Sequence, residues 1–148
     1  MYRFTFILVA LIIGAILPLQ AIINSRLSRT VNGPVMAAFV SFAVGAVALF
    51  IYLLVTRQLG FGQMALQQNP WWIWIGGLIG TFYVAGIIVL LPKLGVALSF
   101  SLVVAGQMAA AIIFDHFGFL GTTVREISLG KILGALLLIA AVFLIRKF

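Results

Sequence analysis

From Gly95 to Gly118 the chain reads GVALSFSLVVAGQMAAAIIFDHFG, an apolar run with one mid-run amide, Gln107, and an acid and an imidazole at its end, Asp115 and His116. About 20 mostly apolar residues wound as a helix cover the hydrocarbon core of a bilayer. A run of this length calls for lipid, and a polar group inside it calls for a reason. Gln107 either faces a cavity or bonds a neighbouring helix. Asp115 and His116 either form a gating or proton-linked pair near the membrane surface or simply close the helix end.

The rest of the chain is built the same way. It is 65% hydrophobic and 7% charged, with a mean hydropathy of +1.32, and no water-soluble domain exposes such a composition without aggregating. The sequence predicts an all-α integral membrane protein. Its 148 residues hold five spans, at about 4–25, 34–56, 71–91, 95–116 and 127–145, forming one transmembrane domain over 1–148. The run from Phe4 to Ile23 is too long for a signal-peptide core and reads as an ordinary first span. Although the net charge is +7, the basic residues stand singly or in pairs at the ends of apolar runs. There they anchor helices to lipid phosphates, so the bilayer is the expected partner and nucleic acid is not.

Span 1 carries Pro18, Gln20 and Asn24 in its second half. The proline removes a backbone donor, and the two amides, four residues apart, share one face. They line a pathway or clasp another helix. Arg26 and Arg29 are expected to bracket a loop, with Asn32-Gly33-Pro34 as its turn. In span 2, Ala37, Ser41 and Gly45 recur every four residues, a small-residue stripe read as packing. A polar connection from Arg57 to Pro70, including Gln67-Gln68-Asn69, reads as a surface loop. Trp71, Trp72 and Trp74 then fall where an indole suits the headgroup boundary.

Span 3 holds Gly76 and Gly80 at GxxxG spacing and Tyr83 near its middle, where the hydroxyl needs a partner or water. Leu91-Pro92-Lys93-Leu94-Gly95 is expected as a tight connection to span 4. Span 5 repeats the GxxxG spacing with Gly130 and Gly134 and otherwise reads as a packing helix. The expected substrate-binding side chains are Gln20, Asn24, Tyr83 and Gln107, all uncharged. The expected packing glycines are Gly45, Gly76, Gly80, Gly130 and Gly134.

With five spans, the termini lie on opposite sides of the membrane. Arg3, Arg57, Arg125 and Lys131 then share one face, and Arg26, Arg29, Lys93, Arg146 and Lys147 the other, which divides the nine Lys and Arg four to five. The excess of basic residues in short loops sets orientation, and here it is a single residue. The expectation is insertion both ways and pairing as an inverted, antiparallel homodimer, or pairing with a paralogue of opposite bias.

Taken in order, Gln20 and Asn24, Ser41-Phe42-Ala43-Val44-Gly45, Trp71-Trp72, Gly76-Gly77 with Gly80, Leu91-Pro92-Lys93-Leu94-Gly95, Gly106-Gln107 and Asp115-His116-Phe117-Gly118 resemble the YdcZ-type family. The resemblance covers essentially the whole chain. It implies a five-helix member of the drug/metabolite transporter superfamily in the bacterial inner membrane, and kinship with small multidrug resistance proteins that use a buried glutamate in their first helix. Span 1 here has no acid, so that proton chemistry does not carry over.

The function expected is transport of a neutral or zwitterionic small molecule by alternating access, since nothing deep in the membrane supplies a counter-charge for a lone ion. The alternative is a non-transporting subunit that packs with a partner membrane protein or helps it assemble. Enzyme chemistry is not expected. With no Cys, one His and two acids, one copy cannot assemble a catalytic or metal-binding constellation, and no cofactor is called for.

Overall fold

The computed structural model describes residues 2–60 and 70–148, with side chains described from residue 4 onward. The stretch 61–69, which contains most of the expected glutamine-rich surface loop, lies outside the described residues. The order is α1 (Tyr2–Thr30), α2 (Pro34–Val55), a 3-10 segment (Trp71–Ile75), α3 (Gly76–Leu94), α4 (Val96–Phe117), a 3-10 turn (Phe119–Gly121) and α5 (Leu129–Lys147). Among the described residues, five helical stretches are long and apolar enough to cross a membrane. At most 17% of the most apolar window of any of them is buried. Their hydrophobic side chains thus point outward, the arrangement lipid favours and water forbids.

The helices fall into two compact units, Met1–Lys93 and Leu94–Phe148. In the first, α1 and α2 are joined by a three-residue turn. Gly33 (φ 93°) leads into Pro34 at the first position of α2, where the missing proline N–H costs no hydrogen bond. The core of this unit is a small cluster: Ala37 and Ala38 of α2 against Val84 and Ile88 of α3, with Leu27 and Val31 packed on it. Two alanines at 0% exposure leave room for the Val84 and Ile88 side chains to pack against α2, which is what small residues contribute where lipid offers no hydrophobic drive. One turn further on, Gly80 of α3 faces the Phe42 ring of α2, and a Cβ on it would stand 3.6 Å from Cζ.

In the second unit, α4 and α5 form an antiparallel hairpin. Gly118 closes α4 in the left-handed conformation (φ 59°, ψ 38°), its N–H donating to the Phe114 carbonyl. The loop then folds back: Phe119 stacks on Phe114 with 5.0 Å between ring centroids, and the Arg125 N–H donates to the Asp115 carbonyl at 2.8 Å. Ser128 caps α5 by accepting the Lys131 N–H at 3.3 Å. Several hydroxyls within the helices are bonded to the preceding turn, as with Thr81 to the Gly77 carbonyl and Ser99 to the Gly95 carbonyl. Such back-bonding satisfies a hydroxyl where no water is at hand.

Two boundaries differ from the sequence reading. Arg26 and Arg29 do not bracket a loop: α1 continues through both to Thr30. Long cationic side chains are good helix formers and favour the negative end of a helix, so they extend this one rather than stop it. Likewise, Pro92 and Lys93 belong to the last turn of α3, and Gly95 (φ 77°) separates α3 from α4. Pro92 removes one hydrogen-bond donor from that turn, which a helix ending two residues later tolerates.

Candidate functional site

A cavity of about 340 Å³ opens in the first unit, lined by Gln20 of α1 and by Ser41, Phe42, Gly45, Ala46 and Leu49 of α2. It exists because the stripe read as packing divides in two. Ala37 is fully buried in the core, whereas Ser41 and Gly45 line open space, and a Cβ on Gly45 would meet nothing within 4 Å. The sequence reading missed the site's Ser41 and Gly45 by giving the whole stripe one role. Small residues admit either a second helix or a ligand, and nothing in their spacing distinguishes the two. Ser41 and Gly45 lie in the middle of the 22-residue α2, a depth where polar groups are costly unless a cavity or partner receives them. The lining offers an amide, a hydroxyl and an aromatic ring, and it contains no ionisable side chain.

Asn24, one turn from Gln20, is 3% exposed, and its amide Nδ2 has no hydrogen-bond partner among the described residues. An amide buried without a partner costs about 1–3 kcal/mol by the measure of protein substitutions. The near-isosteric Asn24→Leu is therefore expected to raise stability by about 1 kcal/mol, read from unfolding in detergent. A loss of stability would mean that a buried water or a second chain satisfies the amide.

Tyr83 does not line this cavity. It is half-buried and packs on the Ala37, Ala38, Val84 and Ile88 cluster. Gln107 is exposed on α4, midway along a span. Trp71, Trp72 and Trp74 are exposed on the 3-10 segment.

The charged end of the α4–α5 hairpin is organised around a pair that the sequence reading did not single out. The Lys131 Nζ lies 3.6 Å from Asp115 Oδ2 and donates to the Arg125 carbonyl at 3.3 Å. Fifteen residues lie between Asp115 and Lys131, so only the folding of the loop brings them together. His116 turns away to an edge-on contact with Phe117, 4.9 Å between centroids. Its Nδ1 is buried without a partner among the described residues. Successive helical residues diverge by about 100°, which is why Asp115 and His116 do not share a direction. Of the other expected packing glycines, Gly76 and Gly134 have nothing within 4 Å of a built Cβ, and Gly130 has only Ser128 Oγ at 3.9 Å.

A family model described as "Putative inner membrane exporter, YdcZ" matches residues 5–144. The chain is also similar to the Inner membrane protein YdcZ of Escherichia coli (strain K12). The two are 30% identical over 136 residues, which cover 90% of this chain and 89% of that one. No solved structure matches.

Proposed function

Because the chain belongs to the YdcZ inner membrane exporter family, we propose that it exports a neutral or zwitterionic small molecule through the Gln20–Ser41 cavity. It is a multi-pass inner membrane protein with five helices of spanning length. The observation that carries the substrate class is the lining itself. A cavity at mid-helix with one amide, one hydroxyl and no ionisable group leaves a lone cation or anion uncompensated, while a molecule of zero net charge meets hydrogen-bonding partners and apolar walls. The Asn24 amide, one turn along α1 and without a hydrogen-bond partner among the described residues, is the next donor assigned to the pathway. Asn24→Leu thus gains stability at the cost of export.

Thermal stability of the purified chain, screened against neutral, zwitterionic and cationic small molecules, tests this reading. Neutral or zwitterionic compounds are expected to raise the unfolding temperature, and Gln20→Leu to remove the effect. Stabilisation by cations alone would sink the assignment. A lack of response to every compound, together with co-purification of one stoichiometric membrane protein, would favour a packing or assembly subunit.

Export also requires a second access state, and we propose that an inverted second copy supplies it, giving an antiparallel homodimer with termini on opposite sides in each chain. Two features support this: the four-to-five division of Lys and Arg between the faces, and Gln107, an amide exposed at mid-span on a single chain that a partner helix would satisfy. Since the chain has no cysteine, single cysteines at Gln63 and after Phe148 report orientation directly. A membrane-impermeant thiol reagent applied to intact cells is expected to label about half of each, as a near-absent charge bias predicts. Full labelling of one and none of the other would leave a single orientation and remove the antiparallel pair.

A further inference from the structure

The α4–α5 hairpin carries a second concave site, a groove of about 250 Å³ that leads from Asp115 and Lys131 down past Ala111, Ile112, Gly134 and Leu138. We propose that this groove holds a zwitterionic phospholipid of the phosphoethanolamine class. Its ammonium meets Asp115, its phosphate meets Lys131, and the first part of one acyl chain lies along the apolar floor.

Four observations converge on that occupant. First, both charges stand at the lip: Asp115 is two residues from the end of α4 and Lys131 two residues from the start of α5. That is the level of the headgroups for helices of spanning length. Second, the pair is not closed on itself. Its 3.6 Å separation is well beyond the roughly 2.7–2.9 Å of a tight charge-assisted hydrogen bond. The Asp115 and Lys131 side chains are 41% and 29% exposed, so each keeps capacity for an outside partner.

Third, the charges are held in place before any ligand arrives. The Arg125 carbonyl takes one Lys131 proton at 3.3 Å, the Ser128 cap fixes the backbone of Lys131, and the Arg125 N–H ties the loop to Asp115. Fourth, the floor is apolar and left open by Gly134, where a Cβ would meet nothing within 4 Å. A water-soluble zwitterion has no apolar part to lay on such a floor, whereas the first part of an acyl chain makes van der Waals contact along it.

Charge decides between lipids. An anionic headgroup would satisfy Lys131 and be repelled by Asp115 beside it. A headgroup carrying both signs, joined by a two-carbon linker, matches an acid and a base set side by side. The groove shares no lining residue with the export cavity, and the proposal does not rest on what is exported.

The test is native mass spectrometry of the full chain in detergent, titrated with phosphatidylethanolamine and with phosphatidylglycerol of identical acyl chains. The ethanolamine lipid is expected to bind about tenfold more tightly, the worth of one additional charge-assisted hydrogen bond. Asp115→Asn should abolish that preference by restoring binding of the anionic lipid. Gly134→Leu, whose Cβ has open space and whose side chain takes up room on the floor, should weaken both lipids about tenfold while leaving the ion pair intact.

Equal affinity of the two lipids in the wild type would overturn the proposal, as would undiminished binding by Gly134→Leu. Chain-free glycerophosphoethanolamine is expected to compete poorly. If it competes as well as the intact lipid, the site belongs to a soluble zwitterion and the lipid assignment fails.

Discussion

Gly45→Leu is expected to lower export at least tenfold while leaving the protein as stable as before, or up to about 1 kcal/mol more stable. The gain comes from placing a strong helix former where glycine was. The loss comes from position: Gly45 lines the cavity, a Cβ on it would meet nothing within 4 Å, and a leucine there occupies the space a substrate would need. Most damaging substitutions destabilise, so a variant that folds well and fails to transport separates site from scaffold. The measurement is efflux from vesicles loaded with a compound identified by the stability screen, set beside the unfolding temperature of the same preparation. Undiminished efflux by a well-folded Gly45→Leu protein would show that the cavity is not the pathway. A loss of both efflux and stability would show that Gly45 is needed for packing.

Gly118→Val should have the largest effect on stability, a loss of about 2–3 kcal/mol. The residue sits at φ 59° and ψ 38°, where a Cβ collides with the following carbonyl oxygen and a β-branched side chain fares worst. The surroundings add to this, because a Cβ at that point would lie 2.7 Å from Val124 Cγ2 and 3.2 Å from the Thr122 carbonyl. Relief would require the returning loop to lift, and that loop brings the Arg125 N–H to Asp115 and aligns Lys131. Gly106→Ala is the natural control: it lies inside α4 with nothing near a built Cβ, so it should be neutral or slightly stabilising. If unfolding in detergent shows the two substitutions to be equivalent, the turn does not constrain the hairpin.

How far each feature could be read from the sequence depends on how local its cause is. The helices were legible because each is announced by its own run of apolar residues, with no neighbour needed. Their ends were legible where the signal is stereochemical, as at Gly33-Pro34 and Gly118. They are not legible at Arg26 and Arg29, where charge suggests a loop although Ser28 and Thr30 bond back to the Ser25 and Leu27 carbonyls within a continuing helix. The 3-10 winding of Trp71–Ile75 has no periodicity signal of its own in five residues. Gln20 could be singled out because an amide in a membrane span is conspicuous. Ser41 and Gly45 could not, because the same stripe also supplies the buried Ala37. The pairing of Asp115 with Lys131 depends on the path of an intervening loop, which no pattern of residue types specifies.

The unequal helices impose a mechanical condition on the bilayer. At 1.5 Å per residue, the 29 residues of α1 extend about 43 Å and the 19 of α5 about 28 Å, against a hydrocarbon thickness of about 30 Å. One membrane cannot match both upright. α5 fits as it stands, so α1 must lean or push its Arg26 and Arg29 end out among the phosphates, where those side chains are at ease. Gln20 rides on α1 two turns below that end, across a cavity otherwise lined by α2, so a lean of α1 against α2 would move the amide relative to Ser41. Bilayer thickness is then expected to act on the mouth of the cavity, a control exerted through acyl-chain length.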